Sequence, residues 1–247
     1  FYADQENHYV RRISQTGICL GLFGGWGNAP GKFQYPVSLQ LDRQDNVYII
    51  DMNNQRVQKF SPDGEFLLTF GDCGKEGQRL GIVFSSSMDN EDNLWIADTS
   101  HDRIQVYDPN GNLTNSLTPK GLKNPIGICC LKNGEYLVAD QSEDLIKRYD
   151  SQGNLLANLI RKDTGLEDLY IITFSHTYGI FASDHWSSRI LHLDSSLNIQ
   201  GIYGNSGRRT GQFNRVGWMD THNDLLAVAD MCNNRIQFFD IKKTLSS

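Results

Sequence analysis

Along this chain apolar residues recur at every second position, in short runs of Val, Ile, Leu, Tyr and Phe that are bounded by Gly, Asp, Asn and Pro. That spacing belongs to a β-strand with one face turned inward, so it predicts strands throughout. The clearest stretch reads PVSLQL at 36–41, NVYIID at 46–51, RVQKF at 56–60 and EFLLTF at 65–70, with DRQD, MNNQ and SPDG between the runs. Strands joined by turns this short predict one four-stranded antiparallel sheet. No stretch carries apolar residues at i, i+3, i+4 and i+7, and no amphipathic helix is expected.

The pattern repeats. NVYIIDMNNQRVQKF at 46–60 is followed by NLWIADTSHDRIQVY at 93–107, EYLVADQSEDLIKRY at 135–149, YGIFASDHWSSRILHL at 178–193 and DLLAVADMCNNRIQFF at 224–239. A worn copy, FYADQENHYVRRI, opens the chain. The aspartates of the motif are Asp4, Asp51, Asp98, Asp140, Asp184 and Asp230, spaced by 47, 47, 42, 44 and 46 residues. A repeat of four strands at that period has the size of a propeller blade, and six copies predict an all-β, six-bladed β-propeller spanning residues 1–247 as a single domain.

Asp51 and Arg56, Asp98 and Arg103, Asp184 and Arg189, and Asp230 and Arg235 each stand five apart, on either side of the turn between second and third strands. A charge-assisted hydrogen bond across the turn would fix it, so this motif is read as structural. Blades one and four depart from it, with Tyr9 and Leu145 in the arginine position. The first strands carry a small residue at a third position read as Ser38, Ser85, Gly127 and Gly217, with Ile171 the exception, which suits inner strands crowded around an axis.

The pattern P-x-[GS]-I/L, then N-x-[YW]-[IV]-x-D-x-x-x-x-R-[IV]-Q-x-[FY]-D-x-x-G, then a strand ending F-G, resembles the NHL repeat over essentially the whole chain. The resemblance implies a six-bladed propeller of four-stranded blades. It also implies closure by an N-terminal segment that supplies the outer strand of the last blade. This chain opens inside a second strand and ends after a sixth third strand, leaving blades one and six incomplete, so a closing segment of roughly 20 to 30 residues is expected ahead of Phe1.

Charge and cysteine content narrow the partners. With 23 Lys and Arg against 29 Asp and Glu the net charge is −6, which argues against a uniformly basic nucleic-acid binder, and no DNA partner is expected. No apolar run is long enough to span a membrane. The five cysteines are odd in number and form no CxxC pair. They read as buried free thiols, which points to a reducing, cytoplasmic compartment.

The loops between blades hold ten basic residues against five acidic ones, but the turns between second and third strands on the same face hold ten acidic residues and four arginines, so that face is mixed. The turns at the opposite ends of the strands are strongly acidic. The candidate partner-binding residues are therefore those of the basic, aromatic loops and turns: Trp26, Lys32, Lys75, Arg79, His185, Trp186, Arg208 and Arg209. Phe33 and Phe213, each in a G-x-F phrase, read as plugs between blades. The loop GGWGNAPGKF lacks the spacing of a phosphate loop. His8, His101 and His185 fall in alternate turns, but their offsets from the motif Asp differ, so no shared metal is expected and no cofactor is assigned.

These features describe a non-catalytic scaffold whose loops hold a protein or peptide. Single-stranded RNA on the same loops is the alternative implied by propellers of tripartite-motif proteins. A metal-dependent lyase or hydrolase is the alternative implied by enzymes among NHL relatives, whose ligand set has no match at corresponding positions here.

Overall fold

In the computed structural model the described residues are 1–14, 16–71, 79–141, 144–160, 166 and 169–245. The chain divides into two compact units, Phe1–Thr118 and Pro119–Ser247, each built from three consecutive antiparallel sheets.

In the first unit, β1 (Tyr2–Asp4), β2 (Tyr9–Ile13) and β3 (Cys19–Gly24) form a three-stranded sheet. A four-stranded sheet follows, of β4 (Pro36–Leu41), β5 (Val47–Asp51), β6 (Arg56–Phe60) and β7 (Phe66–Phe70). The third comprises β8 (Val83–Met88), β9 (Leu94–Asp98), β10 (Arg103–Tyr107) and β11 (Leu113–Leu117).

The second unit opens with β12 (Pro125–Cys130), β13 (Tyr136–Asp140), β14 (Asp144–Tyr149) and β15 (Leu155–Ile160). Its second sheet is β16 (Leu169–Ser175), β17 (Gly179–Asp184), β18 (Arg189–Leu193) and β19 (Ile199–Tyr203). The last sheet has three strands, β20 (Val216–His222), β21 (Leu225–Asp230) and β22 (Arg235–Asp240), and runs into a short helix, α1 (Ile241–Leu245).

Burial explains which strands alternate and which do not. Every residue of β5, β6, β9, β10 and β13 is buried, because these middle strands are covered on both faces. In the outer strands β7 and β11 only Phe70 is buried. Phe33 is buried with Val10, Val47, Ile49 and Phe60 in the first unit, and Phe213 with Phe181, Ile190 and Val228 in the second. An apolar cavity of about 170 Å³, lined by Phe181, Tyr203, Phe239 and Leu245 among others, lies beneath α1.

The first strands of neighbouring sheets approach closely within each unit. Ser38 and Ser86 hydroxyls are 3.0 Å apart. A Cβ added at Gly127 would sit 2.6 Å from the Tyr170 carbonyl oxygen. Each of β4, β8, β12, β16 and β20 also carries a bulge near its start, as between Pro36 and Ser38. Val216 opposes Asp230 as Pro36 opposes Asp51, so the third position of β20 is Trp218 and Gly217 lies one place earlier than the sequence reading put it.

The recurrence of DMNNQRVQKF and DMCNNRIQFFD has a physical cause. Asp51 accepts the Gln34 amide at 2.7 Å, Asn54 Nδ2 at 2.8 Å and Arg56 Nε at 2.9 Å. Arg56 then donates through Nη1 and Nη2 to the carbonyls of Asn28, Ala29 and Lys32, and Gln58 clamps Gly31 and Lys32. The same set recurs around Asp230: Asn214, Asn233 and Arg235 donate to it, while Arg235 and Gln237 hold the carbonyls of Arg208, Arg209 and Gln212. The phrase pins the preceding loop onto its sheet. Asp98 with Arg103 at 2.8 Å, and Asp184 with Arg189 at 2.7 Å, make the corresponding pairs. In the two sheets that lack the arginine, Arg11 pairs with Asp4 at 3.1 Å and Lys147 with Asp140 at 2.8 Å, each seven residues on.

The thiols differ from the sequence reading. Among the described cysteines only Cys129 is buried, and burial pushes it up to about 12, while Cys19 and Cys232 are exposed. Cys73 lies outside the described residues. The helix α1 was also unforeseen: Asp240 accepts the Lys243 amide at 3.0 Å and ends β22 as an N-cap. Among the described residues no helix is long and apolar enough to cross a membrane.

Candidate functional site

The candidate residues fall on both units. In the first, Trp26 is 71% exposed, and Lys32 directs its ammonium to the Gly24 carbonyl at 2.8 Å. Arg79 is exposed and its carbonyl accepts Arg103 Nη2 at 2.7 Å. Lys75 lies outside the described residues. His185, Trp186, Arg208 and Arg209 belong to the second unit, where a turn and a loop bring them to one end.

That end is assembled from the turn 185–188, which joins β17 to β18, and the loop 204–215, which leads from β19 into β20. Ser188 Oγ accepts the Arg215 amide at 3.1 Å. His185 is buried and its Nδ1 meets the Val216 carbonyl at 2.8 Å, which makes Nδ1 the protonated nitrogen. The imidazole stacks on Tyr170 with centroids 5.1 Å apart, and Tyr170 meets Trp218 edge-on at 5.6 Å. This packing leaves Trp186 outside, 56% exposed, with the Arg215 guanidinium 4.2 Å from the centre of its ring. Arg215 has φ 64°, and its carbonyl accepts the Met231 amide at 3.1 Å, so its backbone is fixed on both sides. Met231 lies across Gly217, where a Cβ would come within 2.6 Å of its Cγ.

Among the described residues, the turn and loop that form this end carry exposed charge of one sign. Asp184 and Asp230 are fully buried and paired with Arg189 and Arg235. Burial by itself would push the Asp230 carboxyl up, but donation from Asn214, Asn233 and Arg235 outweighs it and holds the group below its ordinary value. Residues 185–188, 204–215 and 231–234 contain no Asp or Glu, whereas Arg208, Arg209 and Arg215 are all exposed. The loop is held by its carbonyls and amides, so these exposed side chains are carried on a fixed backbone.

Sequence reasoning singled out Trp186, Arg208 and Arg209 but passed over Arg215, Tyr170, Trp218 and Met231. Arg215 had been counted only as one basic residue among ten, and the bulge that sets the register of β20 hid the place of Trp218. The three turn histidines face separate partners: His8 Nδ1 accepts the Tyr35 amide at 3.1 Å, and His101 Nδ1 lies 3.0 Å from Asp98. Among the described residues no three His, Cys, Asp or Glu side chains come together as metal ligands would.

No family model matches the chain, and no curated protein matches it. Solved structures do. A chain of a nidogen/laminin complex is 16% identical with a TM-score of 0.71, over 96% of this chain and 88% of that one. A protein of unknown function from Bacteroides caccae is 14% identical with a TM-score of 0.71, over 95% of this chain and 87% of that one. Virginiamycin B lyase from Staphylococcus aureus is 11% identical with a TM-score of 0.67, over 96% of this chain and 79% of that one. At these identities the likeness concerns fold alone: an all-β, six-bladed β-propeller with mostly four-stranded antiparallel blades.

Proposed function

We propose that this chain is an NHL-type propeller acting as a non-catalytic binding module, which holds a protein or peptide partner on the end of its second unit formed by 185–188 and 204–215. The observation that carries the reading is Trp186, exposed over 56% of its surface while it meets the buried His185 ring edge-to-face and has the Arg215 guanidinium over its own ring. A large aromatic fixed in this way offers contact area at little cost in side-chain entropy, and Trp and Arg are the residue types that dominate protein interfaces. The nidogen/laminin complex supports the reading as a chain of similar fold found with a protein partner.

Panning a displayed library of short random peptides over the wild-type chain and over Trp186→Ala tests it. Peptides should be retained by the wild type and lost by the variant. Retention by both equally would move the site elsewhere, and retention by neither would remove peptide binding. A thermal melt of the variant checks that the fold is intact, because an exposed side chain away from a cap or core changes stability little.

A further inference from the structure

We infer that the partner presents an aspartate or glutamate carboxylate to Arg215, with an apolar or aromatic side chain laid against Trp186. This rests on the binding reading above and names the chemistry that the same surface selects. The Arg215 guanidinium lies 4.2 Å over the centre of the Trp186 ring, and a guanidinium held in this way still offers several N–H donors, which a carboxylate matches with two parallel hydrogen bonds.

Three further observations converge. Arg11, Arg56, Arg103, Arg148, Arg189 and Arg235 each contact a carboxylate of this chain. Arg208, Arg209 and Arg215 contact none among the described residues, although all three belong to a single loop. The two motif carboxylates nearest in the fold, Asp184 and Asp230, are buried and already paired, so they neither neutralise the loop nor repel an incoming acid. The carbonyls of Arg208 and Arg209 are bound to Arg235, and the Arg215 amide to Ser188, so an acid meets cations whose backbone is already placed.

Single-stranded RNA would also supply anions, but it binds along a row of exposed aromatic faces. Here Trp186 is exposed while Tyr170 and Trp218 are half-buried and His185 is buried. One open indole beside a guanidinium suits a single acidic and apolar pair in a peptide.

The test uses peptides recovered in a Trp186-dependent way, each made again with Asn for Asp and Gln for Glu, and titrated calorimetrically into the wild type, Arg215→Ala and Arg215→Lys. The amide versions should bind the wild type about tenfold more weakly, roughly 1.4 kcal/mol. Arg215→Ala should remove most of that preference, and Arg215→Lys should keep only part of it, since an ammonium lacks the fork. Trp186-dependent peptides without acidic residues, or amide versions of equal affinity, would overturn the carboxylate while leaving the binding reading in place. A random oligoribonucleotide pool is panned in parallel. Trp186-dependent retention of RNA with no peptide retained overturns both.

Discussion

Arg56 and Arg235 stand in the same phrase and make the same contacts, but their side chains differ in exposure, at 7% and 31%. Removing one partner of a buried pair strands the other, so Arg56→Met should cost about 3–5 kcal/mol. Water reaches Arg235 and can replace part of what it donates, so Arg235→Met should cost about 1–2 kcal/mol. Urea unfolding of both variants measures the difference, and equal costs would refute the role given to burial. A second residue-scale effect lies one place earlier, where Gln55 ends its turn with φ 53° while Asn234, in the matching place, has φ 51°. Gln resists this left-handed conformation and Asn tolerates it, so Gln55→Asn should raise the melting temperature. The Asp and Arg pairs were visible as a spacing of five. The substitutes Arg11 and Lys147 were not, because a position two residues further along the strand lies on the same face, and which of the two carries the cation that meets the carboxylate shows only in the paired strands.

At the scale of elements, five turns use one device. Asp42, Asp89, Asp108, Asp150 and Asp194 each accept the amide and the side-chain Nδ2 of an Asn four residues on. Donation from Asn154 and Asn198 holds the Asp150 and Asp194 carboxyls below their ordinary values; at Asp42 and Asp108 the same donation outweighs burial. A carboxyl held low in the folded state contributes stability that is present above its unfolded pKa and is lost as pH falls through the folded one. These carboxyls and Asp230 outnumber Asp51 and Asp220, which desolvation holds above their ordinary values and whose contribution has the opposite sign, so unfolding free energy should decline below about pH 4. Denaturant titrations across that range check the sign, and a rise in stability toward acid would contradict it. The strands and turns were legible because a period of two and the Gly, Asp, Asn and Pro residues that bound each run are local. The bulges were not, since an extra residue in one strand shows only against its partner, and one misplaced register moved Trp218 off the third position of β20.

For the whole molecule, summed charge proved a coarse guide to the surface. Counting acids in the turns between second and third strands makes them look acidic, yet Asp184 and Asp230 are internal and paired, so in the loop and turns around Trp186 the exposed charges are those of Arg208, Arg209 and Arg215. A sequence cannot distinguish a carboxylate consumed by a sheet from one that faces water. The contrast between this small cationic patch and a net charge of −6 has a consequence for the length of an anionic ligand. Exposed charges are felt over about 8 Å at physiological salt, so a short acidic peptide is governed by the three arginines. A longer polyanion extends beyond them, over a chain whose acids outnumber its bases, and gains nothing from the added charge. Lengthening a polyglutamate tail on a peptide that binds at Trp186 should therefore leave its affinity level or weaken it, as read by calorimetry at fixed salt. Affinity that climbs steadily with length, and falls steeply as salt is raised, would instead mark an extended cationic track of the kind that nucleic acids follow.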